Sequence, residues 1–140
     1  MPLTVDIDPR TPPRFLFWLA FSLLVAHEMD AMVRHEWRLL PGFSSIVDDA
    51  VASDVFTLVH IPAFAVLLWL SVKPGIGVKV QRGIDGFLVL HAIAHAALSG
   101  HALYEFVPPV ETVTVFGAGL VGAVDLLITL RGRDTPPRRE

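Results

Sequence analysis

The chain has 140 residues, no cysteine and a formal net charge of −3. That excludes disulfides, zinc ribbons, iron–sulfur clusters and cysteine nucleophiles, and it supplies no basic surface for nucleic acid. Apolar residues make up 53% and charged residues only 18%, against about 45–50% and about 25% in soluble domains. With a mean hydropathy of +0.57, the balance suits lipid better than a water-exposed surface.

One membrane domain, 1–140, is the expected organisation. Four stretches, at about 15–34, 53–72, 84–106 and 110–130, approach the roughly 20 apolar residues that a helix needs to cross a bilayer. The tails, 1–13 and 131–140, are expected to be flexible. The predicted fold is an all-α integral membrane four-helix bundle of up-down-up-down topology. A soluble bundle of such helices would have too little polar surface.

Pro12 and Pro13 precede the first helix and Pro41-Gly42 follows it. It is not expected to be a cleavable signal peptide. No small-residue cleavage site follows it, and His27-Glu28-Met29-Asp30 interrupts it. His27-Glu28 starts like the zinc-protease motif H-E-x-x-H, but Ala31 stands where the second histidine must share the helix face.

The second helix carries His60 and, two residues on, Pro62. The proline removes a backbone donor and should bend the helix at the Leu58 carbonyl, opening room beside it. Pro74-Gly75 ends this helix. The third helix carries His91 and His95, about 40° apart at about 100° per residue and so on one face; Glu105 and His101 fall near that stripe. Asp85 there and Asp125 on the fourth helix read as interfacial polar groups.

Pro108-Pro109 leads into the fourth helix. Its Gly117-Ala118-Gly119-Leu120-Val121-Gly122 run imitates a dinucleotide fingerprint. That fingerprint needs a βαβ unit and an acid about 20 residues on, and the residues after Gly122 supply neither. Ala118 and Gly122 instead read as a close-packing helix face.

Lysine and arginine placement predicts the orientation. Arg10, Arg14, Lys73, Lys79, Arg82, Arg131, Arg133, Arg138 and Arg139 fall at one side, and only Arg34 and Arg38 at the other. Both termini are therefore expected in the cytoplasm, with the chain a multi-pass protein of the cell membrane. Trp18 and Trp69 should mark the inner interface and Trp37 the outer one.

Ionisable groups are costly in a bilayer and tend to line sites. Antiparallel helices bring His27, His60 and His95 to one level, with His91 one turn deeper. A second, outer layer holds Asp30, His35, Glu36, Asp54, His101 and Glu105. Imidazole with carboxylate suits zinc, iron or manganese. The expected ligands are His27, His60, His91 and His95, with Glu28 or Asp30 as the catalytic acid/base or a supporting carboxylate. His35 and His101 read as structural or solvated. Asp30 is placed to touch Arg34, one turn along.

Four features resemble small membrane proteins named for an H-x-x-E-E motif. They are His27-Glu28-Met29-Asp30, the following His35-Glu36-Trp37-Arg38 with its Pro41-Gly42 turn, His91-x-x-x-His95, and the stretch 104–109. Asp30 stands for the first glutamate of the motif and Ala31 for the second. The resemblance covers most of the chain. It implies a multi-helix membrane fold with a metal or catalytic site and names no substrate.

The expected function is a metal-dependent membrane enzyme, hydrolase or oxidoreductase, acting on a lipid or other hydrophobic molecule. One alternative is a haem-binding electron carrier with His27 and His95 as axial ligands. Another is a non-enzymatic assembly or transport subunit, which for so short a chain implies a homo-oligomer.

Overall fold

The computed structural model describes residues 15–40 and 48–131. Among them it is all-helical. Four helices follow in order: α1 (Phe15–Val33), α2 (Asp49–Val72), α3 (Gly77–Leu98) and α4 (Gly117–Arg131). A 3-10 turn, Glu36–Leu39, follows α1, and a π-helical turn, Thr112–Phe116, leads into α4. Pro12, Pro13, Pro41, Gly42, Arg10, Arg14, Arg133, Arg138 and Arg139 lie outside the described residues, as do the 1–13 tail and all but Arg131 of the other tail.

Among the described residues three helices are long and apolar enough to cross a membrane: α1, α2 and the continuous 112–131 helix that contains α4. α3 is not among them, which corrects the expectation of four such spans. Lys79, Gln81, Arg82 and Asp85 occupy its first half and His91 and His95 its second. It packs against α4 more than any other element does, and Gln81, Asp85 and His95 are buried in the protein while Lys79 is exposed.

The boundaries of α3 also differ from the expected 84–106. Gly75, with φ +82°, closes the turn after α2, and the helix restarts at once. Gly77 sits so close to α2 that a Cβ there would stand 2.5 Å from the Ser71 carbonyl oxygen. The Gln81 amide donates to the same oxygen at 2.8 Å. At the other end the helix stops before Gly100, and the Leu103 N–H donates to His101 Nδ1 at 3.2 Å. His101 and Glu105 are thus in a loop, and the helical angles that put them on the His91 stripe do not hold. α2 starts earlier than the expected 53, because the Asp48 carboxylate caps it by accepting from the Ala50 N–H at 3.0 Å.

The core has two parts. Phe17, Ala20, Phe21, Leu24, Ile84, Leu88 and Ala118 form one. Ala31, Trp37, Ala52, Phe56 and Phe106 form the other. α4 approaches α3 through small residues, as its sequence suggested: Ala118 and Gly122 are buried, and a Cβ on Gly119 would lie 2.6 Å from that of Ala92. Asp85 and Asp125 are buried, a correction to their reading as interfacial groups; the same close approach encloses them.

α2 stands apart. Only 6% of its apolar span is buried inside the protein, against 39% for α1. Leu58, Val59, Ile61, Val66, Trp69 and Val72 are all exposed, and an apolar face of that size needs lipid or protein to cover it. Trp18 and Trp69 are exposed, and Lys73 Nζ lies 4.7 Å from the Trp69 ring centroid. Trp37 is buried instead, which corrects its place in an interfacial belt: its indole N–H donates to Asp49 at 2.9 Å.

Candidate metal centre

His27 occupies α1 between the two core clusters and is 1% exposed. His91 and His95, one turn apart on α3, face it. The His27 ring centroid is 4.9 Å from each of theirs, and the two α3 rings are 4.7 Å apart. His91 Nε2 comes within 3.0 Å of His27 Nε2.

The fourth member is Glu36. α1 ends before it, and a straight continuation would carry it outward. His35 instead adopts the left-handed conformation, φ 53° and ψ 45°. This turns the chain back, so that Glu36, first in the 3-10 turn, points into the cluster. Its Oε2 is 3.1 Å from His27 Nε2. Its Oε1 is 3.8 Å from His91 Nε2 and 3.6 Å from His95 Nε2. The ligand atoms of His27, Glu36, His91 and His95 all lie within 4.8 Å of one another. Burial opposes ionisation of Glu36, yet the imidazoles of His27, His95 and His91 around it hold its carboxyl below the ordinary glutamate value.

Hydrogen bonds behind the cluster aim the nitrogen lone pairs. Tyr104 O–H donates to Glu111 Oε1, so its oxygen is free to accept from His95 Nδ1–H at 2.9 Å. That leaves His95 Nε2 with its lone pair facing the cluster, the arrangement usual for metal-ligating histidines. Phe87 stacks on the His91 ring at 5.3 Å. Phe106 packs on His27 and His95 at 5.4 and 4.7 Å. His27 Nδ1 and Glu36 Oε2 are buried without a hydrogen bond. Two facing imidazole nitrogens and an unsatisfied carboxylate oxygen fit a set of donors built around a cation.

His60 does not join these donors. Its Nδ1–H donates to the Phe56 carbonyl at 2.5 Å, and its Nε2 faces Glu28 Oε2 at 3.1 Å. The matched depth predicted from sequence missed this because α2 stands off the other helices. Glu28, expected as a catalytic acid/base, pairs with His60. Asp30, its alternative, turns towards Arg34 at 3.4 Å. His35 and His101 are outside the cluster.

A polar clamp holds the 3-10 turn. Arg38 donates to Asp49 through Nε at 3.0 Å and Nη2 at 2.6 Å, and through Nη1 to Glu105 at 2.9 Å. His35 Nδ1 is 2.8 Å from the other Glu105 oxygen. The hydrogen bond with His35, and then Arg38, keeps the Glu105 carboxyl below its ordinary value.

Sequence reasoning placed Glu36 in a separate outer layer and did not single out Glu111. The signal for Glu36 was its place beyond a helix end, where a turn returns the chain. The signal for Glu111 was an acid opening an apolar helix, close behind Tyr104. Residues 13–132 match the model of a family described as one of unknown function, DUF6713, and the chain belongs to that family. No curated protein and no solved structure matches it.

Proposed function

We propose that this family member is a membrane-embedded, metal-dependent enzyme acting on a lipid or another hydrophobic substrate. The observation that carries the reading is the convergence of three imidazole Nε2 atoms and one carboxylate on a single point. Metal–nitrogen bonds of about 2.0–2.1 Å in a tetrahedral site put neighbouring donors roughly 3.3 Å apart. Four of the contacts, between 3.0 and 3.8 Å, bracket that value, and all the ligand atoms lie within 4.8 Å of one another. His27, Glu36, His91 and His95 would hold the ion, and zinc, iron or manganese suits such a set. When bound, the ion supplies a Lewis acid and lowers the pKa of water.

The protein's own proton carriers are Glu28 and His60. A carbonyl only accepts, so the bond to Phe56 fixes the proton on His60 Nδ1. Its Nε2 then faces Glu28 Oε2 at 3.1 Å, close enough for a proton to pass between them. The pair can therefore give or take a proton beside the metal donors. Asp30, held by Arg34, has no such part.

The membrane arrangement belongs to the same proposal. Lys73, Lys79, Arg82 and Arg131 lie at one end of the helices; Arg34 and Arg38 lie at the other, matched by Asp30, Asp49 and Glu105. This supports an up-down-up-down bundle in the cell membrane, both termini cytoplasmic and the centre in the outer half. The exposed face of α2 is left for lipid or a second copy.

The donor count supports a second reading. Four protein ligands close a tetrahedral zinc site, which is the structural type, whereas catalysis needs an open position. Zinc would make the centre a staple in a non-enzymatic subunit; six-coordinate iron or manganese would leave two positions open. Haem draws no support: the His27 and His95 rings touch edge to face, with Phe106 against both, and no plane between them accepts a porphyrin.

Elemental analysis of the detergent-purified protein tests the proposal. It requires about one iron or manganese per chain, lost in the His91→Ala/His95→Ala variant. Stoichiometric zinc moves the assignment to the structural reading. Absence of metal from the wild type and the variant alike overturns both.

A further inference from the structure

A cleft of about 440 Å³ runs between α1, α2 and α3. Leu24, Phe64, Leu67, Val80, Ile84 and Phe87 form its apolar walls, and Glu28 with His60 forms its polar end. Its volume falls within the roughly 300–1,000 Å³ of small-molecule sites. Ala63, Gly83 and Phe87 are exposed at the opening, and their exposed neighbours Ile61, Val66 and Leu90 are apolar. The mouth therefore gives onto hydrocarbon. The opening begins at Ala63, beside Pro62 inside α2.

The polar end adjoins the metal donors by two routes. Glu28 follows His27 in the chain, and Phe87 both lines the cleft and stacks on His91. A molecule with its chain in the cleft thus carries its head to the centre. The chemistry of that head follows from the pair that meets it. His60 Nδ1–H is taken up by the Phe56 carbonyl and its Nε2 by Glu28 Oε2, so Glu28 Oε1 is left to accept a hydrogen bond from a head-group hydroxyl. No lysine or arginine is among the residues that line the cleft, so an anionic head would be buried there without a partner.

We infer that the cleft binds a single hydrocarbon chain bearing an uncharged hydroxyl head, entering sideways from the bilayer with its head on Glu28, beside His60. This names the substrate class of the proposed enzyme and rests on that reading for its functional sense. The cleft itself is testable without metal chemistry.

The full chain in nanodiscs is photolabelled with a monoacylglycerol carrying a mid-chain diazirine. Labelling is expected on the cleft walls and should be displaced by excess unlabelled monoacylglycerol, but not by lysophosphatidate. Gly83→Phe and Ala63→Phe, from opposite walls, should weaken it about tenfold with metal content unchanged. A Cβ at Gly83 meets nothing within 4 Å, so the larger side chain enters open space and the helix still folds. Labelling that excess competitor does not displace, or that neither variant lowers, overturns the inference. Equal displacement by lysophosphatidate overturns the uncharged head. A metal-free wild type with saturable labelling sinks the enzyme and spares the cleft; a metal-loaded protein with unsaturable labelling does the reverse.

Discussion

Glu36 Oε2 lies 3.1 Å from His27 Nε2 although α1 ends between the two residues. The contact makes Glu36 the carboxylate of the cluster and leaves His60 outside it. Substitution at the two positions should therefore have opposite results. Glu36→Gln removes the charged donor and should abolish stoichiometric metal. His60→Gln should retain metal. Elemental analysis of the two variants side by side checks this, and metal loss in His60→Gln with retention in Glu36→Gln would reverse the ligand assignment.

Tyr104 acts on the centre through His95. Tyr104→Phe removes the hydroxyl that accepts from His95 Nδ1, and Glu111 Oε1 is then 3.7 Å away, too far for a good hydrogen bond. Loss of such a supporting partner typically weakens metal binding about 10–100-fold. Competition with a chelating dye should show that loss while circular dichroism shows an unchanged helix content. Unchanged affinity would mean that packing against Phe106 alone aims the ring.

The clamp predicts a pH dependence outside the membrane helices. Glu105 has a lowered carboxyl pKa in the folded protein. Its contribution to ordering the 3-10 turn is thus complete above the ordinary glutamate value and is lost as pH falls through the lower folded one. Hydrogen-exchange protection in residues 36–39, taken relative to the intrinsic rate at each pH, should fall on acidification from about pH 5 towards pH 2. Glu105→Gln should flatten that profile. The effect should also shrink at about 1 M salt, because the groups are exposed and screened. A profile that Glu105→Gln leaves unchanged would remove Glu105 from the clamp.

Two glycines on facing helices should respond differently to the same change. At Gly119 a Cβ would stand 2.6 Å from that of Ala92 and 3.3 Å from the Leu88 carbonyl oxygen. Gly119→Ala should force α3 and α4 apart at a cost of about 1–3 kcal/mol. At Gly83 no atom lies within 4 Å of the added carbon. Gly83→Ala should be neutral or stabilising by up to about 1 kcal/mol, since alanine favours the helix. Denaturation in mixed micelles compares the two directly, and equal destabilisation would contradict the helix interface.

Helical class and three of the spans were legible because apolar runs and their prolines are local signals. His27, His91 and His95 were legible because i, i+4 spacing on one helix and a single histidine on an antiparallel one constrain each other strongly. What escaped depends on tertiary placement. Hydropathy could not show that α3 buries Gln81, Asp85 and His95 inside the protein, so its start and its contrast with the other spans were misread. Depth along a helix could not show that α2 stands aside, so His60 was grouped with the wrong partners. Helical periodicity has no meaning beyond a helix end, which is where Glu36, Tyr104 and Glu105 lie.

The return of the chain at His35 is the least common of these features. A left-handed residue with a side chain costs roughly 1–2 kcal/mol relative to the right-handed form, although histidine visits the region more readily than most. The backbone there sets the position of Glu36, while the ring makes separate contacts with Glu105 at 2.8 Å and Trp37 at 5.2 Å. Comparing two substitutions separates these roles. His35→Gly and His35→Val lose the ring contacts equally, but glycine accepts φ 53° and a β-branched side chain resists it. Metal affinity should therefore fall further in the valine variant, by roughly tenfold relative to glycine. Equal affinities in the two would show that the clamp, rather than the left-handed turn, holds Glu36 against His27.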